Sequence, residues 1–600
     1  MNNLKSPHSF HIPVMGTGFT IDTPLLVAKY GISSVISLVD DVLIEQMRKY
    51  WSEQYGEPYT CITASDDDHR AKRITSYLNL LQKLITQQVL KIKGGEFTEN
   101  SETTKYFELL PDDHAASRVY RDMLQEKSLE KKLDLQQQLR QFIVAGSIDV
   151  NIMTKLDVPH QRNGQALPYI YSDAAAALRG YANSELNSTI VLSAGFNPHL
   201  YGYISEFADF FPDLENRIKK KICLKVSDYR SAMIQGKYLA KRGIWVSEYR
   251  IESSVNCGGH AFINDGQLLG PILEEFKINR EQLIRELHEV YRQALEKLKN
   301  IDLTTPQEIA ITAQGGVGTN QEHSFLIRRY QLDSIGWGSP FLLVPEVTNV
   351  DDQTLQKLVN ADENGVYLSP SSPLGVPFWN LKNSPGEELR RERIEQGMPG
   401  SPCPKGYIRF NRDFTELPIC LASRKYQQMK LAQLEQSELS DEQRQTLKES
   451  VLAKSCICHE LGGGVSGKRA IDSKVATAVC PGPNIINFKK IASLREMTNH
   501  IYGRCSLLIN KERPHLFIKE LQLQLANLIK EATPLAGVLP TKSHQKLIEM
   551  KKNLNDGIEY YRSLAKELFK EQQESFLEAL KNLKNELDNI LLDQEMVLVS

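Results

Sequence analysis

The stretch EIAITAQGGVGT, residues 308–319, decides the fold. Its apolar first half, Glu308–Ala313, predicts a strand buried on both faces, and its glycine-rich second half predicts a turn. An amphipathic run at Gln321–Arg329 predicts a helix, and a further apolar run at Asp333–Trp337 predicts a second strand. Strand, helix and strand in this order are typical of a parallel βαβ unit.

The same alternation extends back to the N-terminus. The other predicted strands are His11–Thr17, Ile32–Val39, Ile148–Met153, Thr189–Ala194, Ile222–Val226 and Ile244–Tyr249. The other predicted helices are Pro24–Tyr30, Val42–Trp51, Tyr201–Phe211, Tyr229–Lys241 and Gln353–Val359. Eight strands with crossover helices favour an α/β fold of the (β/α)8 or TIM-barrel type. An open doubly wound sheet is the alternative.

The barrel is predicted to occupy residues 1–360 and to carry two insertions. One, residues 52–146, is charged and largely helical, and the other, residues 261–305, contains one long amphipathic helix. Each insertion is either a lid or partner surface, or a set of helices packed on the barrel exterior. A Cys-rich loop and helix region is predicted at 361–510. A helical region follows at 511–600, as a hairpin packed on its own chain or a dimerisation element.

Composition excludes several classes of protein. The 600 residues are 41% apolar and 24% charged, which is typical of globular domains and not of disordered chains. Lys and Arg total 72 against 74 Asp and Glu, so a general nucleic-acid binder is not indicated. No apolar run is long enough to span a membrane, and Met1–His11 has no apolar signal core. We therefore expect a cytoplasmic protein without a membrane partner.

Glycine-rich turns follow the last two predicted strands. Residues 314–319 follow strand seven, and residues 336–340 follow strand eight. Phosphate groups are commonly held by these two loops of a barrel, because glycine lets backbone N–H groups approach an anion. The sequence therefore predicts a phosphate-bearing ligand at Gly315, Gly316, Gly318, Gly338 and Ser339.

Three other polar motifs have two interpretations each. His260 follows Gly258–Gly259 after strand six, and it is either an acid or base at the barrel mouth or a loop histidine bonded to backbone. Gly462–Lys468 superficially fits a nucleotide-binding loop, but Arg469 stands where the metal-binding hydroxyl belongs, which favours a flexible glycine loop. Asp66–His69 is a metal site or a solvated acidic turn, and we favour the turn.

The nine cysteines are too sparse for a disulfide scaffold. Five of them nevertheless crowd into residues 403–480. Thiolates on Pro- and Gly-rich loops can converge on zinc or an iron–sulfur cluster. Structural or free thiols and redox-active thiols are the alternatives. The candidate metal ligands are Cys403, Cys420, Cys456, Cys458 and Cys480.

Several short segments, in the same order, resemble the FMN-dependent nitronate monooxygenases (2-nitropropane dioxygenases) and the related FMN-dependent enoyl-ACP reductases. The resemblance covers roughly residues 11–345. It does not extend to the insertion at 52–146 or to the chain beyond 360. Its segments are Ile12–Gly18, Asp149–Met153, Ser193–Pro198, Gly258–His260, Gly315–Gly318 and Gly338–Ser339.

The resemblance implies that FMN is the phosphate-bearing ligand. It implies flavin contacts at Met15, Gly16 and Asn151, phosphate contacts at the two glycine loops, and an acid/base role for His260. The implied function is an FMN-dependent oxidoreductase of the nitronate monooxygenase type, acting on a small organic or acyl substrate. The alternatives are an enoyl-thioester reductase that requires an electron donor, and a non-catalytic flavin-binding scaffold. A homo-oligomer is a further expectation.

Overall fold

The computed structural model of the chain describes residues 6–162, 164–193, 195–261, 265–510, 513–533, 542–568 and 570–590. Eight parallel strands form a closed barrel, in which the last strand pairs with the first through Phe10 and Ile335. The strands are β1 (Phe10–Ile12), β2 (Ser33–Ser37), β3 (Ile148–Met153), β4 (Ser188–Ser193), β5 (Lys220–Val226), β6 (Val246–Glu252), β7 (Ala310–Gln314) and β8 (Ser334–Gly336). The TIM-barrel prediction is confirmed, and the open sheet is wrong.

The predicted strand positions hold, with shifted ends. β1 stops at Ile12 instead of Thr17, because Pro13 cannot donate to the ladder and Gly16 adopts a positive φ of 62°. β6 runs to Glu252, three residues beyond the predicted end. Ala194, the predicted last residue of the fourth strand, lies outside the described residues.

Residues inside the barrel alternate with residues on its outer face. Val35, Val191 and Cys223 form a small buried cluster of their own inside the barrel, separate from the main core. The neighbouring inward positions of β6 are polar, and Arg250 Nε donates to Glu248 Oε1 at 2.8 Å. Alternation along β5 and β6 therefore directs Lys225 and Glu252 inward at the carboxyl ends of these strands.

Helices cover the outside of the barrel between successive strands. Those between β1 and β4 are α1 (Thr23–Val27), α2 (Asp41–Tyr55), α3 (His69–Gly94), α4 (Glu102–Leu109), α5 (Ala115–Gln125), α6 (Leu129–Phe142) and α7 (Asp173–Ala182). Those after β4 are α8 (Pro198–Tyr203), α9 (Tyr229–Ala240), α10 (Leu269–Lys299), α11 (Asn320–Tyr330) and α12 (Asp352–Val359). The helix predicted at 201–211 divides into α8 and two short 3-10 turns.

Both insertions pack on the barrel exterior. α3 packs against α2 and α7 through a buried stripe that includes Ile74, Leu78 and Leu81. Asp68, in the predicted acidic turn, is held by the Arg179 guanidinium, whose Nε donates to it at 2.7 Å. α10 packs against α9 and the C-terminal helices. The packed-helix interpretation therefore holds for both insertions.

The remainder of the chain continues the same hydrophobic core. A hairpin of β9 (Val366–Ser369) and β10 (Phe378–Leu381) follows the barrel. Then come α13 (Pro385–Glu395), α14 (Arg424–Glu435), α15 (Asp441–Leu452), α16 (Ile457–Glu460), α17 (Gly463–Lys468) and α18 (Leu494–Ile501). The last helices are α19 (Leu516–Ala532), α20 (His544–Leu564) and α21 (Lys570–Asp588), which pack on one another.

These elements bear on two further features of the sequence, the glycine run at 463–468 and the apolar length of the helices. The glycine run 463–468 is a short helix, α17, and not a flexible loop, because it is buried against Phe19 and Asn349 of the barrel. Among the described residues, no helix has the length and apolarity to cross a bilayer.

Candidate functional site

A polar group of three side chains lines the carboxyl ends of β5, β6 and β7, which we call the barrel mouth. Lys225 Nζ lies 2.7 Å from Glu252 Oε2, and Gln314 Nε2 donates to Glu252 Oε1 at 2.7 Å. The Lys225 side chain is 20% exposed and that of Glu252 is 14% exposed. An ion pair that is partly open to solvent at this end of a barrel is placed where barrel enzymes carry their catalytic residues.

His260 lies at the end of the loop that follows β6, near enough to Lys225 for the charge of that side chain to act on the imidazole. Its ring nitrogen Nε2 is 2.6 Å from Ser372 Oγ, and its ring packs edge-on against Phe378 of the β9–β10 hairpin. The hairpin is held to this loop by backbone bonds from Ala261 N to Pro377 O and from Trp379 N to Gly259 O. The residues after 360 therefore complete the wall around His260.

The imidazole of His260 is neutral at physiological pH. Burial, and then the positive charge of Lys225, lower the pKa of His260 from 6.5 to about 4. A neutral ring can donate an N–H hydrogen bond to a substrate, but it is a weak base. The His260 ring contacts a serine hydroxyl through Nε2, and its role as an acid or base stays a prediction.

The loop before His260 is covered by the segment 480–484. Gly258 has a φ of 124°, and a Cβ on it would lie 2.1 Å from the carbonyl oxygen of Cys480. Gly482 N–H donates to Ser339 Oγ at 3.0 Å, and Ser339 Oγ donates to the Cys257 carbonyl at 2.9 Å. This segment thus joins the loops that follow β6 and β8, and only glycine fits at position 258.

The two predicted phosphate loops lie side by side, because β7 and β8 are neighbours in the barrel. Gly316, Val317 and Gly338 are buried, and their backbone N–H groups have no acceptor among the described residues. Buried N–H groups without a partner are uncommon, and we call these three N–H groups the candidate anion-binding surface. The Gly318 N–H, in contrast, is taken by Glu322 Oε2 at 2.8 Å.

Arg513 closes this loop from the C-terminal region. Its guanidinium donates to the Gly316 carbonyl oxygen at 2.6 Å, to Glu322 Oε1 at 2.6 Å and to Asn484 Oδ1 at 2.9 Å. Burial alone would raise the pKa of Glu322, but Arg513 and backbone N–H donors hold it below its ordinary value. Arg513 and Glu322 therefore form a buried ion pair at the anion-binding surface, which the sequence analysis missed.

The residues predicted to contact the flavin ring lie at the same end of the barrel. Asn151, on β3, donates through Nδ2 to Val191 O at 3.1 Å and to Ser193 Oγ at 3.0 Å. Met15 is buried, and a Cβ on Gly16 would lie 3.4 Å from Cys480 Sγ. The structure brings these residues, His260 and the phosphate loops to one mouth.

The donor set of the mouth fits the phosphate of FMN. Free buried N–H groups on two adjacent loops and the Arg513 cation are the groups that hold a phosphate. Asn484 and Arg513 lie within 3.0 Å of where a Cβ on Gly318 would be, so these two side chains pack closely on the loop that follows β7. Gly316, Val317 and Gly338 are the residues of this chain that would hold the phosphate.

The five candidate metal ligands separate into two places. Cys403, Cys420, Cys456 and Cys458 interact with one another, whereas Cys480 lies at the barrel mouth against Gly16. All of these thiols are free. Within the described ranges, no set of three or more His, Cys, Asp or Glu side chains is spaced to hold a metal ion, so the structure does not support the predicted zinc or iron–sulfur site.

Comparison with known proteins gives the following similarities. No family model and no curated protein matches the chain. A FabK mutant from Thermotoga maritima shows 11% identity and a TM-score of 0.30, over 63% of this chain and 79% of that chain. The enoyl reductase domain of MlnA, from the macrolactin biosynthesis cluster of Bacillus amyloliquefaciens, shows 13% identity and a TM-score of 0.33. It covers 62% of this chain and 85% of that chain. The nitronate monooxygenase resemblance stays a prediction.

Proposed function

We propose that the chain is an FMN-dependent oxidoreductase whose reaction takes place at the barrel mouth. The observation that carries this proposal is the pairing of two features at one end of the barrel. The first is the surface of free N–H groups at Gly316, Val317 and Gly338. The second is the Lys225–Glu252 pair beside His260. The free N–H groups suit the phosphate of a cofactor, and the ion pair beside His260 suits the reacting part of a substrate.

The state of His260 favours reduction of an α,β-unsaturated acyl thioester over oxidation of a neutral nitroalkane. Proton abstraction from a nitroalkane requires a base, and an imidazole with a pKa of about 4 is a weak one. A neutral N–H donor instead suits the carbonyl oxygen of a thioester, where negative charge develops during reduction. Small nitro compounds and a non-catalytic scaffold are the alternatives that the test must separate.

FMN bound at the mouth would supply hydride to the β-carbon of the thioester, a nicotinamide would reduce the flavin, and water would supply the proton that the α-carbon gains. His260 and Lys225 hydrogen-bond the thioester carbonyl oxygen and stabilise the charge that develops there. Glu252 holds the Lys225 ammonium in place through its 2.7 Å ion pair. Ser372 fixes the orientation of the His260 ring, since its hydroxyl lies 2.6 Å from Nε2.

The test is an activity assay on the full chain purified with FMN. Crotonyl-N-acetylcysteamine with NADH or NADPH is compared with 1-nitropropane, for which oxygen uptake is followed. Consumption of the enoyl thioester supports the proposal. Turnover of the nitroalkane alone overturns the substrate class, and bound flavin without any turnover identifies a scaffold.

Replacement of His260 by asparagine is expected to lower kcat by about 10-fold, because the amide keeps a hydrogen-bond donor but loses the ring geometry.

The activity of the wild type is expected to show no ionisation of His260 between pH 6 and 8, because its pKa is about 4. Steady-state kinetics at a series of pH values measure the kcat of the variant and the pH profile of the wild type. The matched control is His544→Asn at the start of α20. An acidic limb near pH 6.5 that disappears in His260→Asn contradicts a neutral donor.

A further inference from the structure

One carboxylate from the C-terminal region holds both ends of the segment that joins β6 to α10, which we call the β6–α10 connection. Glu520, on α19, is buried, and its Oε1 accepts hydrogen bonds from Ser253 Oγ at 2.7 Å and from Ser254 N at 3.0 Å. Its Oε2 accepts from Leu269 N at 2.8 Å. Ser253 and Ser254 begin the connection, and Leu269 is the first residue of α10. The same carboxylate therefore fixes the start and the end of the segment that carries His260.

A second side chain on α19 repeats this arrangement one helical turn later. Gln524 Nε2 donates to Ser254 Oγ at 2.6 Å and to the Gln267 carbonyl oxygen at 3.4 Å. Ser254 belongs to the start of the connection, and Gln267 belongs to its end. Because residues four apart lie on one face of a helix, Glu520 and Gln524 contact the connection from the same face of α19. We call these two residues the α19 clamp.

The first turn of α10 requires acceptors from outside the helix. The first N–H groups of a helix have no partner within it, and Leu268, the N-cap residue of α10, has a side chain that cannot accept them. Glu520 accepts the N–H of Leu269, and the Tyr561 hydroxyl, on α20, accepts from Gly270 N at 3.1 Å. A carboxylate at a helix N-terminus is also favoured by the helix dipole. The C-terminal helices therefore cap α10.

Hydrogen bonds within the connection join the clamp to His260. Asn256 N donates to Ser253 O at 3.0 Å, and Asn256 Nδ2 donates to the His260 carbonyl oxygen at 2.6 Å. Asn256 Oδ1 accepts from Gly258 N at 2.8 Å, so one side chain spans the turn before His260. Residues 253–260 are therefore one hydrogen-bonded unit, and Glu520 anchors the first residues of that unit to α19.

The clamp and the connection stabilise each other, because a buried carboxylate is costly unless donors reach it. If the connection moved away, Glu520 would lose its three printed donors and stay buried. We propose that Glu520 is a positioning residue, which holds the β6–α10 connection so that His260 keeps its place at the barrel mouth. The role of His260 in this inference rests on the proposed function, whereas the hold of α19 on the connection does not.

The first test is hydrogen–deuterium exchange of the full chain, followed by mass spectrometry, because this measurement does not depend on turnover. Glutamine keeps only one of the two acceptor oxygens of Glu520. In Glu520→Gln the amides of residues 254–261 are therefore expected to exchange about 10-fold faster than in the wild type, the equivalent of one lost hydrogen bond. Exchange in the barrel strands is expected to stay unchanged. An equal rise throughout the barrel, or no rise in residues 254–261, overturns the clamp.

The matched control is Glu45→Gln, which removes the charge of another buried glutamate. Glu45, on α2, accepts from Arg48 Nε at 2.9 Å and from Ile62 N at 2.9 Å, on the outside of the barrel. Exchange of residues 254–261 in this variant is expected to equal that of the wild type. A rise in these residues as large as in Glu520→Gln would show general loosening and overturn the clamp.

A milder variant keeps the test decisive if Glu520→Gln does not fold. Ser253→Ala removes one of the three hydrogen bonds to Glu520 and leaves the carboxylate in place. We expect a smaller rise in exchange, confined to residues 254–261. Circular dichroism first establishes that the variant is folded, and unchanged exchange in the folded variant overturns the clamp.

A double-variant cycle tests whether Glu520 acts through His260. We expect Glu520→Gln to lower kcat for the enoyl thioester by up to about 10-fold, and the double variant with His260→Asn to lose about 10-fold in total. Losses that multiply to about 100-fold, or an unchanged kcat in Glu520→Gln, overturn the positioning role. Faster exchange of residues 254–261 in a chain that turns over neither test substrate supports the clamp and overturns the proposed function alone.

Discussion

Replacing Lys225 with methionine is expected to lower turnover by about 100- to 1,000-fold, the range found when one donor to a developing oxyanion is removed. Lys225 is the cation at the barrel mouth, and its Nζ lies 2.7 Å from Glu252 Oε2. Methionine fills a similar volume without charge, so the barrel is expected to fold. Steady-state kinetics with the enoyl thioester measure the loss, and the flavin content of the purified variant is checked first.

The matched control for this variant is Lys237→Met. Lys237 Nζ also lies 2.7 Å from a glutamate oxygen, that of Glu286, but this pair joins α9 and α10 on the outside of the barrel. Its turnover is expected to equal that of the wild type. A second readout is the pKa of His260 by nuclear magnetic resonance. It is expected to rise in Lys225→Met, because the charge of Lys225 contributes to lowering it. Equal turnover in both variants would remove Lys225 from the reaction.

Replacing Glu322 with glutamine is expected to lower the free energy of unfolding by about 3–5 kcal/mol, the usual cost of leaving one member of a buried ion pair alone. Glu322 is 1% exposed and accepts from Arg513 at 2.6 Å, and glutamine removes the charge and keeps only one of the two acceptor oxygens. Urea unfolding followed by tryptophan fluorescence measures the change. The double variant Glu322→Gln with Arg513→Met is expected to recover part of the loss.

The same pair predicts how stability depends on pH. Because the folded-state pKa of Glu322 lies below its ordinary value of 4.5, its contribution to stability is complete above pH 4.5. The contribution is lost as the pH falls through the lower folded-state value. The free energy of unfolding of Glu322→Gln is expected to lack the contribution that the wild type loses in acid. The surface pair of Glu388 and Lys357 serves as the control, and Glu388→Gln is expected to change little. Identical acid profiles for wild type and Glu322→Gln would contradict the pairing.

The barrel was predictable from the sequence because each strand is short and apolar and each crossover is amphipathic. The functional side chains at the mouth were harder to find. Lys225 stands in a predicted strand, whereas Glu252 and Gln314 lie beyond the predicted ends of theirs, at Tyr249 and Ala313. The signal for both was present as polar residues at alternate positions of β6 and β7. Because these strands were interpreted as continuously apolar, the polar side chains inside the barrel were not predicted.

Contacts between distant parts of the chain could not be predicted. Arg513 reaches Glu322 across 191 positions of sequence, and Ser372 reaches His260 across 112. Neither contact leaves a local pattern, because each depends on how the residues after 360 fold over the barrel. The glycine run at 463–468 is helical for the same reason, since its burial against the barrel replaces the usual preference of glycine for loops.

In the cysteine region, the crowding of thiols was visible in the sequence, but the separate position of Cys480 was not. Crowding of thiols between 403 and 480 left a metal centre, structural or free thiols and redox-active thiols as interpretations, and it grouped Cys480 with the other four. Only the fold separates them, because the loop that ends at Cys480 turns to the barrel mouth while the others meet at α16.

The central claim is that the barrel mouth binds FMN through its phosphate, and a comparison of FMN with riboflavin tests it most directly. Fluorescence titration of the apoprotein is expected to show that FMN binds at least about 100-fold more tightly than riboflavin, equivalent to two charge-assisted hydrogen bonds. The candidate donors of these bonds are the three N–H groups of Gly316, Val317 and Gly338. Equal affinity for the two flavins, or no binding of either, would contradict the account.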